Sequence, residues 1–164
     1  MRIAVISDTH NAVSSTEKVL AAIKNEGIDT IIHCGDMTYP STAELFRDFC
    51  VYHAWGNGDI DTIELPMVIK ACKPGSRSEQ WIKCELDGKT IGAVHDMYSS
   101  FFRTMLESGQ FDYIFVGHTH RKMDEMMGPT RVINPGSIGG APRAPYGYCI
   151  LDLKTGDKKD LFLD

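Results

Sequence analysis

The fold is decided by residues 2–36, which read RIAVISDTHNAVSSTEKVLAAIKNEGIDTIIHCGD. Residues 2–7 form a short, nearly all-apolar run, which is typical of a strand covered on both faces. Ser14 and Glu17 have the spacing of a capping box, and apolar residues at helical intervals follow them. Residues 30–34 form a second apolar run. The order strand, helix, strand predicts a parallel sheet.

The pattern changes further along the chain. Asp87-Gly88 is a strong hairpin signal between two later strands. Ser99 or Ser100 can cap a later helix, and Phe101 and Phe102 are expected on its inner face. The later half is therefore expected to be antiparallel or mixed sheet. The strands predicted after the first two are residues 51–55, 67–70, 81–86, 90–94, 113–116, 131–134, 146–153 and 159–163.

Composition excludes several classes of protein. The chain has 164 residues, a length that predicts a single domain over residues 1–164. Its 17 Lys and Arg against 22 Asp and Glu give a net charge of -5, and no basic block stands out, so stable nucleic-acid binding is not expected. The apolar runs are too short to span a bilayer, which predicts a cytoplasmic protein without a membrane partner. The five cysteines lack a C-x-x-C pair, which argues against a disulfide framework and a zinc finger.

Five of the predicted strands stop at residue types that bind metal ions. Ligands of α/β sheets bind outside the carboxyl ends of strands, so these residues are expected at one sheet edge. Imidazole, carboxylate and carboxamide donors without a thiolate suit Mn²⁺, Fe²⁺, Zn²⁺, Ni²⁺ or Mg²⁺. Seven candidates are too many for one ion, which favours a catalytic pair of divalent ions. The candidates are Asp8, His10, Asp36, Asn57, His95, His118 and His120.

The ordered set of motifs that carries these residues resembles that of the calcineurin-like metallophosphoesterases. The motifs are Asp8-Thr9-His10, Gly35-Asp36, Gly56-Asn57-Gly58-Asp59, His95 and Gly117-His118-Thr119-His120. The segment Asn134-Pro135-Gly136-Ser137 is similar to a turn of the small single-domain phosphodiesterase branch. The resemblance covers most of the chain. It implies an α/β fold, a four-layer α-β-β-α sandwich of two mixed sheets.

The resemblance also implies roles for the ligands. The implied groups are Asp8, His10 and His120 for one ion, Asn57, His95 and His118 for the second, and Asp36 as the bridge between them. The implied reaction is hydrolysis of a small phosphate-ester substrate, a phosphodiester that can be nucleotide-like, by a hydroxide that bridges the two ions. Of the five metals, Mn²⁺ is the one that we expect in this site. Catalysis is assigned to Asp36, Asn57 and His95.

Two positions depart from the family pattern. Gly58 stands where many relatives carry a histidine that assists the leaving oxygen, and Met97 stands where the small branch often has a second histidine. A general acid contributes roughly 10²–10⁴-fold, so slow turnover or a preference for good leaving groups is expected. Arg121 or Arg143 could supply a cation that grips the phosphate.

The alternative is a non-catalytic or weakly active scaffold of the same fold that binds protein partners. Loss of two family histidines favours the scaffold, whereas retention of all seven ligands favours the enzyme. His33 and His53 lie inside strands and are expected to be structural, hydrogen-bonded side chains. Asn134 could orient His10 or the ion site. A homodimer could cover the apolar loop at residues 142–148.

Overall fold

The computed structural model of the protein describes residues 1–139 and 147–162. A 3₁₀ turn at Glu44–Phe46 follows α2. In chain order the other elements are β1 (Arg2–Ile6), α1 (Val13–Asn25), β2 (Thr30–His33), α2 (Pro40–Ala43), β3 (Cys50–Ala54), α3 (Glu64–Lys70), β4 (Arg77–Glu79), β5 (Ile82–Leu86), β6 (Lys89–Ala93), α4 (Ser100–Ser108), β7 (Tyr113–Phe115), β8 (Met123–Met127), β9 (Thr130–Asn134), β10 (Gly147–Asp152) and β11 (Lys158–Phe162).

The strands form two mixed sheets. The first sheet has the order β11-β10-β1-β2-β3-β4, in which β1 to β4 are parallel and β10 runs antiparallel to both β1 and β11. The second has the order β5-β6-β7-β9-β8, in which β6, β7 and β9 are parallel and two antiparallel hairpins complete the edges. The parallel half, the mixed half and the Asp87-Gly88 hairpin between β5 and β6 confirm the predicted organisation.

Alternate side chains of the central strands pack into different layers. Ile3 and Val5 of β1 belong to the core between the two sheets, together with Phe115 of β7. Ala4 and Ile6 point the other way, into the core covered by α1 and α3. A third core lies under α4 on the far face of the second sheet. Because strand side chains alternate between faces, these three cores separate four layers, and the predicted α-β-β-α sandwich is confirmed.

The helix boundaries differ in part from the prediction. α4 begins as expected, because the Ser99 hydroxyl accepts a hydrogen bond from the Phe102 N–H at 3.2 Å. The predicted capping box of Ser14 and Glu17 does not form. Helix α1 starts at Val13, so Ser14 lies inside the helix, and the N-cap residue is Ala12, which makes no side-chain cap hydrogen bond. Phe102 is buried, but Phe101 is 38% exposed, so its predicted core position is also wrong.

The predicted strand over residues 67–70 is the last part of helix α3. Leu65 and Ile69 are four residues apart and both are buried, which is helical spacing, whereas Met67 is exposed. Pro66 is tolerated because it lies in the first turn, where its missing N–H has no helical partner. Across residues 1–139 and 147–162, no helix is long and apolar enough to cross a membrane.

Candidate metal centre

The predicted ligands follow the carboxyl ends of five strands. Asp8 follows β1, Asp36 follows β2 and Asn57 follows β3, while His95 follows β6 and the His118 loop follows β7. Strands β1 to β3 are parallel in one sheet, and β6 and β7 are parallel in the other. The loops therefore leave the sheets at a common edge, which is where open α/β sheets bind ligands.

Most of these loops hold their ligands with an unusual backbone conformation. Positive φ angles occur at Asp8 (53°), His10 (42°), Asp36 (58°), His118 (65°) and His120 (57°). Side chains other than glycine rarely adopt this left-handed region, and Asp, Asn and His tolerate it best. Five such residues in one place indicate a functional site whose geometry is fixed by the surrounding fold.

The first group of donor atoms surrounds one oxygen of Asp8. Asp8 Oδ1 lies 3.6 Å from His10 Nε2 and 3.1 Å from His120 Nε2, and these two nitrogens are 3.2 Å apart. Asp8 Oδ1 is buried and has no hydrogen-bond partner within the described residues, whereas Asp8 Oδ2 accepts hydrogen bonds from the Ser7 hydroxyl and the His118 N–H. A buried carboxylate oxygen left free beside two imidazole nitrogens fits a divalent cation.

The charges of this group are mutually stabilising. Burial acts to raise the pKa of Asp8, but contacts with His10 and Ser7 outweigh it, and the pKa is lowered. Contact with Asp8 raises the pKa of His10, and the nearby Asp36 carboxylate adds to that effect. The two carboxylates thus place negative charge beside the imidazole nitrogens.

The second group lies around Asp36 and His95. Asp36 Oδ2 is 3.7 Å from His10 Nε2 and 3.5 Å from His95 Nε2, so it faces both sides of the centre. Asp36 Oδ1 accepts a hydrogen bond from the Gly58 N–H at 2.6 Å, which fixes the carboxylate and leaves Oδ2 directed at the imidazoles. His118 Nδ1 lies 3.3 Å from His95 Nε2.

The orientation of His95 is set by the backbone of the loop that follows β2. His95 Nδ1 lies 2.7 Å from the Cys34 carbonyl oxygen, and a carbonyl can only accept, so Nδ1 carries the proton. This bond leaves His95 Nε2 as the nitrogen that faces Asp36. This is the arrangement by which proteins orient a metal-ligating histidine.

Asn57 and His118 are the two exposed members of the predicted ligand set, and the other five are buried or half-buried. Asn57, His118 and His95 line a cavity of about 580 Å³. His118 still lies against His95, whereas Asn57 lies at the rim of the centre. Asp8 also lies within ligand distance of Asp36 and His95, so it borders both groups of donors.

Two glycines next to the ligands permit close approach of the loops. A Cβ on Gly35 would lie 2.7 Å from His95 Nδ1, and the residue has a φ of 92°. A Cβ on Gly117 would overlap the Ser7 hydroxyl and lie 2.9 Å from Asp8 Oδ2. Only glycine fits at these two positions without displacing a neighbouring ligand loop.

Asp59 positions two of the ligand loops, which agrees with the interpretation of its sequence position as one that helps to orient a ligand. Its buried carboxylate accepts hydrogen bonds from the backbone N–H groups of Asp36, Thr38 and Gly56, and His53 Nε2 lies 3.2 Å away. Burial acts to raise the pKa of Asp59, but His53 and the backbone donors lower it far below its usual value. Asp59 thus joins the Asp36 loop to the Asn57 loop. The signal available in the sequence was an aspartate within a glycine turn, a residue type that bonds nearby backbone N–H groups.

Asn134 fastens another ligand loop. Its amide nitrogen donates to the Gly117 carbonyl at 2.8 Å and contacts the Thr119 hydroxyl at 3.1 Å, and its oxygen accepts from the Gly136 N–H. These contacts hold the loop that carries His118. Asn134 was expected to orient either His10 or the ion site, and its contacts are with the His118 loop of the ion site and not with His10.

The remaining candidates fall outside the cluster. His33 and His53 are fully buried and hydrogen-bonded, as predicted for structural histidines, and burial lowers the pKa of His33 to about 3. Arg121 is exposed. Arg143 and most of the apolar loop 142–148 lie outside the described residues.

Comparison with known proteins agrees with the geometry. The model of the calcineurin-like phosphoesterase superfamily domain matches residues 1–156. The chain is 26% identical to phosphodiesterase MJ0936 of Methanocaldococcus jannaschii over the whole of both chains, and 31% identical to a probable metallophosphoesterase of the same organism over 96% of this chain and 78% of that protein. It is also similar to the solved structure of a novel archaeal phosphodiesterase, with a TM-score of 0.92 at 26% identity, covering 99% of this chain and 100% of the other. The chain belongs to the calcineurin-like phosphoesterase superfamily.

Proposed function

We propose that the protein is a phosphodiesterase that hydrolyses small or nucleotide-like phosphodiesters with a pair of divalent metal ions. The observation that carries the proposal is the buried Asp8 Oδ1, which has no hydrogen-bond partner among the described residues and faces two imidazole nitrogens. A purely structural aspartate would have its oxygens satisfied by donors. The similarity to a protein named as a phosphodiesterase supports the reaction class.

The donor atoms suggest how two ions would be shared. Asp8, His10 and His120 would hold the first ion. His95 and His118, completed by Asn57 at the rim, would hold the second. Asp36 would bridge them, because its Oδ2 lies between His10 Nε2 and His95 Nε2. The mixed oxygen and nitrogen donors favour Mn²⁺, and they also suit Ni²⁺, Zn²⁺, Fe²⁺ and Mg²⁺.

The residues of the centre hold the metal-binding atoms in position and supply negative charge for the ions. Divalent ions in such a site supply Lewis acidity toward phosphate oxygens and lower the pKa of water. The hydrogen bond from Gly58 to Asp36 Oδ1 and that from His95 Nδ1 to the Cys34 carbonyl keep the donor atoms aimed at the centre. Gly58 provides no imidazole that could protonate a leaving oxygen, so esters with good leaving groups should react fastest.

The test is hydrolysis of bis(p-nitrophenyl) phosphate and p-nitrophenyl phosphate side by side. Protein stripped with EDTA is titrated with Mn²⁺, Ni²⁺, Zn²⁺ and Mg²⁺. We expect metal-dependent turnover that is faster for the diester, with a loss of at least 10²-fold in Asp36→Asn because both ions would lose their shared ligand. Asp61→Asn is the matched control, since Asp61 is a more exposed aspartate of the neighbouring loop, where it accepts hydrogen bonds from the N–H groups of Ile63 and Glu64.

The scaffold hypothesis predicts the opposite outcome. Binding of two ions by calorimetry without turnover of either ester, together with a protein partner that co-purifies, would replace the enzyme proposal. Light scattering of the same preparation tests the proposed homodimer.

A further inference from the structure

A cavity of about 580 Å³ opens directly beside the candidate metal centre. Its volume lies in the range of small-molecule sites. His95 and His118 of the candidate metal centre line it, and apolar surface comes from Trp55, Val94 and Phe101. Its other lining residues are Gly56, Asn57, Asp59, Thr62, Gln80, Asp96 and Ser99. A phosphate at the metal centre would therefore place one of its ester substituents in this cavity.

Trp55 is held rigidly at this wall. Its indole Nε1 donates to the Ser78 hydroxyl at 2.9 Å, and its backbone N–H donates to the Glu79 carbonyl at 2.9 Å. Ser78 is itself buried and contacts His53 Nδ1. Since the indole is fixed before any ligand arrives, binding against it would lose little side-chain entropy.

Phe101 offers a second aromatic surface. It is the residue of the first turn of α4 that remains 38% exposed, whereas its neighbour Phe102 is buried in the core. An exposed phenylalanine that lines a cavity beside a reactive centre has aromatic surface available for a ligand. Gln80 and Thr62 add polar groups at the same cavity.

The described lining of the cavity offers no lysine or arginine to an anionic substituent. Two of its described lining residues are aspartates, Asp59 and Asp96, and none is lysine or arginine. The cationic side chains Arg121 and Lys122 line a different cavity, with Met97. A second phosphate group would therefore find no cationic lysine or arginine partner among these lining residues, and an uncharged ring needs none.

We propose that this cavity binds the planar, uncharged aromatic substituent of the substrate, a nucleobase or a phenyl ring, against Trp55 and Phe101. The inference rests on the proposed function, because the phosphate of that substrate must lie at the metal centre. Stacking on an aromatic side chain tolerates different rings, so both sources of the ring are compatible with the same site.

Competitive inhibition of bis(p-nitrophenyl) phosphate hydrolysis by Mn²⁺-loaded protein tests the inference. Adenosine 5′-monophosphate and ribose 5-phosphate share the sugar phosphate and differ in the base. We expect the nucleotide to bind about 10-fold tighter, and Trp55→Leu to remove that difference while the inhibition constant of ribose 5-phosphate stays within twofold. The inhibition constants of phenyl phosphate and methyl phosphate give the same comparison for a phenyl ring. The larger of the two affinity differences shows whether the cavity prefers a nucleobase or a phenyl ring.

The kinetic pattern separates ring binding from damage to the centre. Trp55→Leu should raise KM for bis(p-nitrophenyl) phosphate by about 10-fold with kcat within twofold, and Trp55→Phe should restore most of the affinity. Trp81→Phe, which changes the other tryptophan, should leave KM unchanged because Trp81 does not line this cavity. Equal affinity for both sugar phosphates in the unmodified protein would overturn the inference and leave the phosphodiesterase proposal intact.

Fluorescence gives an answer that does not depend on turnover. In Trp81→Phe, Trp55 is the only tryptophan, so stacking of adenosine 5′-monophosphate should quench its emission and ribose 5-phosphate should not. If the protein hydrolyses nothing but this quenching occurs, the proposed function fails, and the cavity is shown to bind a ring that is not part of a substrate. If hydrolysis occurs and neither compound quenches Trp55, the ring site fails alone.

Discussion

Replacement of Asp59 by asparagine would test how the fold joins two ligand loops. The carboxylate is only 7% exposed and accepts backbone hydrogen bonds from Asp36 at 2.9 Å, Gly56 at 2.7 Å and Thr38 at 2.7 Å. These donors belong to the loops after β2 and β3. His53 Nε2 at 3.2 Å completes its surroundings. Asn has nearly the same shape as Asp, so the change removes the charge and one acceptor without leaving a cavity.

The size of the effect follows from which oxygen each donor uses. Among the described residues, Oδ2 accepts backbone hydrogen bonds from Asp36 and Gly56, and Oδ1 accepts one from Thr38. If the amide oxygen takes the place of Oδ2, the NH₂ group faces the Thr38 N–H, and that unpaired donor costs about 1–3 kcal/mol. The two remaining bonds become neutral and lose about 1 kcal/mol each. We expect Asp59→Asn to lower the free energy of unfolding by about 4 kcal/mol.

Urea unfolding followed by circular dichroism, in EDTA so that metal binding adds nothing, measures this loss. Asp61→Asn is the matched control, and it should change stability by less than about 0.5 kcal/mol because Asn replaces Asp well at exposed turn and cap positions. A loss below about 1 kcal/mol in Asp59→Asn, with an unchanged urea dependence, would refute the idea that Asp59 joins the loops.

Three further predictions test other parts of the site and fold. Gly117→Ala should lower stability by about 3 kcal/mol and weaken Mn²⁺ binding, because its Cβ would overlap the Ser7 hydroxyl and crowd Asp8; a normal melting temperature and normal calorimetric affinity would contradict this. Asn134→Ala should cost about 2 kcal/mol in urea unfolding by leaving backbone partners unsatisfied, and no measurable loss would show that water replaces the amide. His33 is neutral in the folded state down to its pKa of about 3, whereas the unfolded chain takes up a proton near pH 6.5, so stability should fall as the pH drops below 6.5. The fall from His33 should reach about 2 kcal/mol at pH 5 in urea titrations, and a His33→Gln variant with the same pH dependence would rule out this source.

Much of the architecture was predictable because its signals are local. The apolar runs at residues 2–7 and 30–34 are long enough to identify β1 and β2, and the glycine turn at Asp87-Gly88 admits few alternatives to a hairpin. Placement of the ligand residues at one edge required only that parallel strands end on the same side of a sheet.

Other features depend on packing that no short window of sequence contains. The run at residues 67–70 is too short to separate a strand from a helix, and burial of Leu65 and Ile69 against the first sheet's outer core decided in favour of α3. The chain enters α1 directly from the turn at Asn11, whose φ is 58°, so the helix begins before Ser14 could cap it. The acceptor role of Asp59 depends on two loops that meet only in the folded chain.

The left-handed backbone at the five ligand positions also limits the routes by which this site could change in evolution. A residue other than Asp, Asn, His or Gly placed at Asp8 or His10 would add roughly 1–2 kcal/mol of conformational energy before any contact is counted. Glutamate, cysteine and alanine are therefore disfavoured even where their chemistry or size would suit the centre. Single substitutions at these positions can exchange carboxylate, amide and imidazole, but conversion to a thiolate site would require the loops themselves to be rebuilt. The backbone thus restricts which residue types can replace the present ligands.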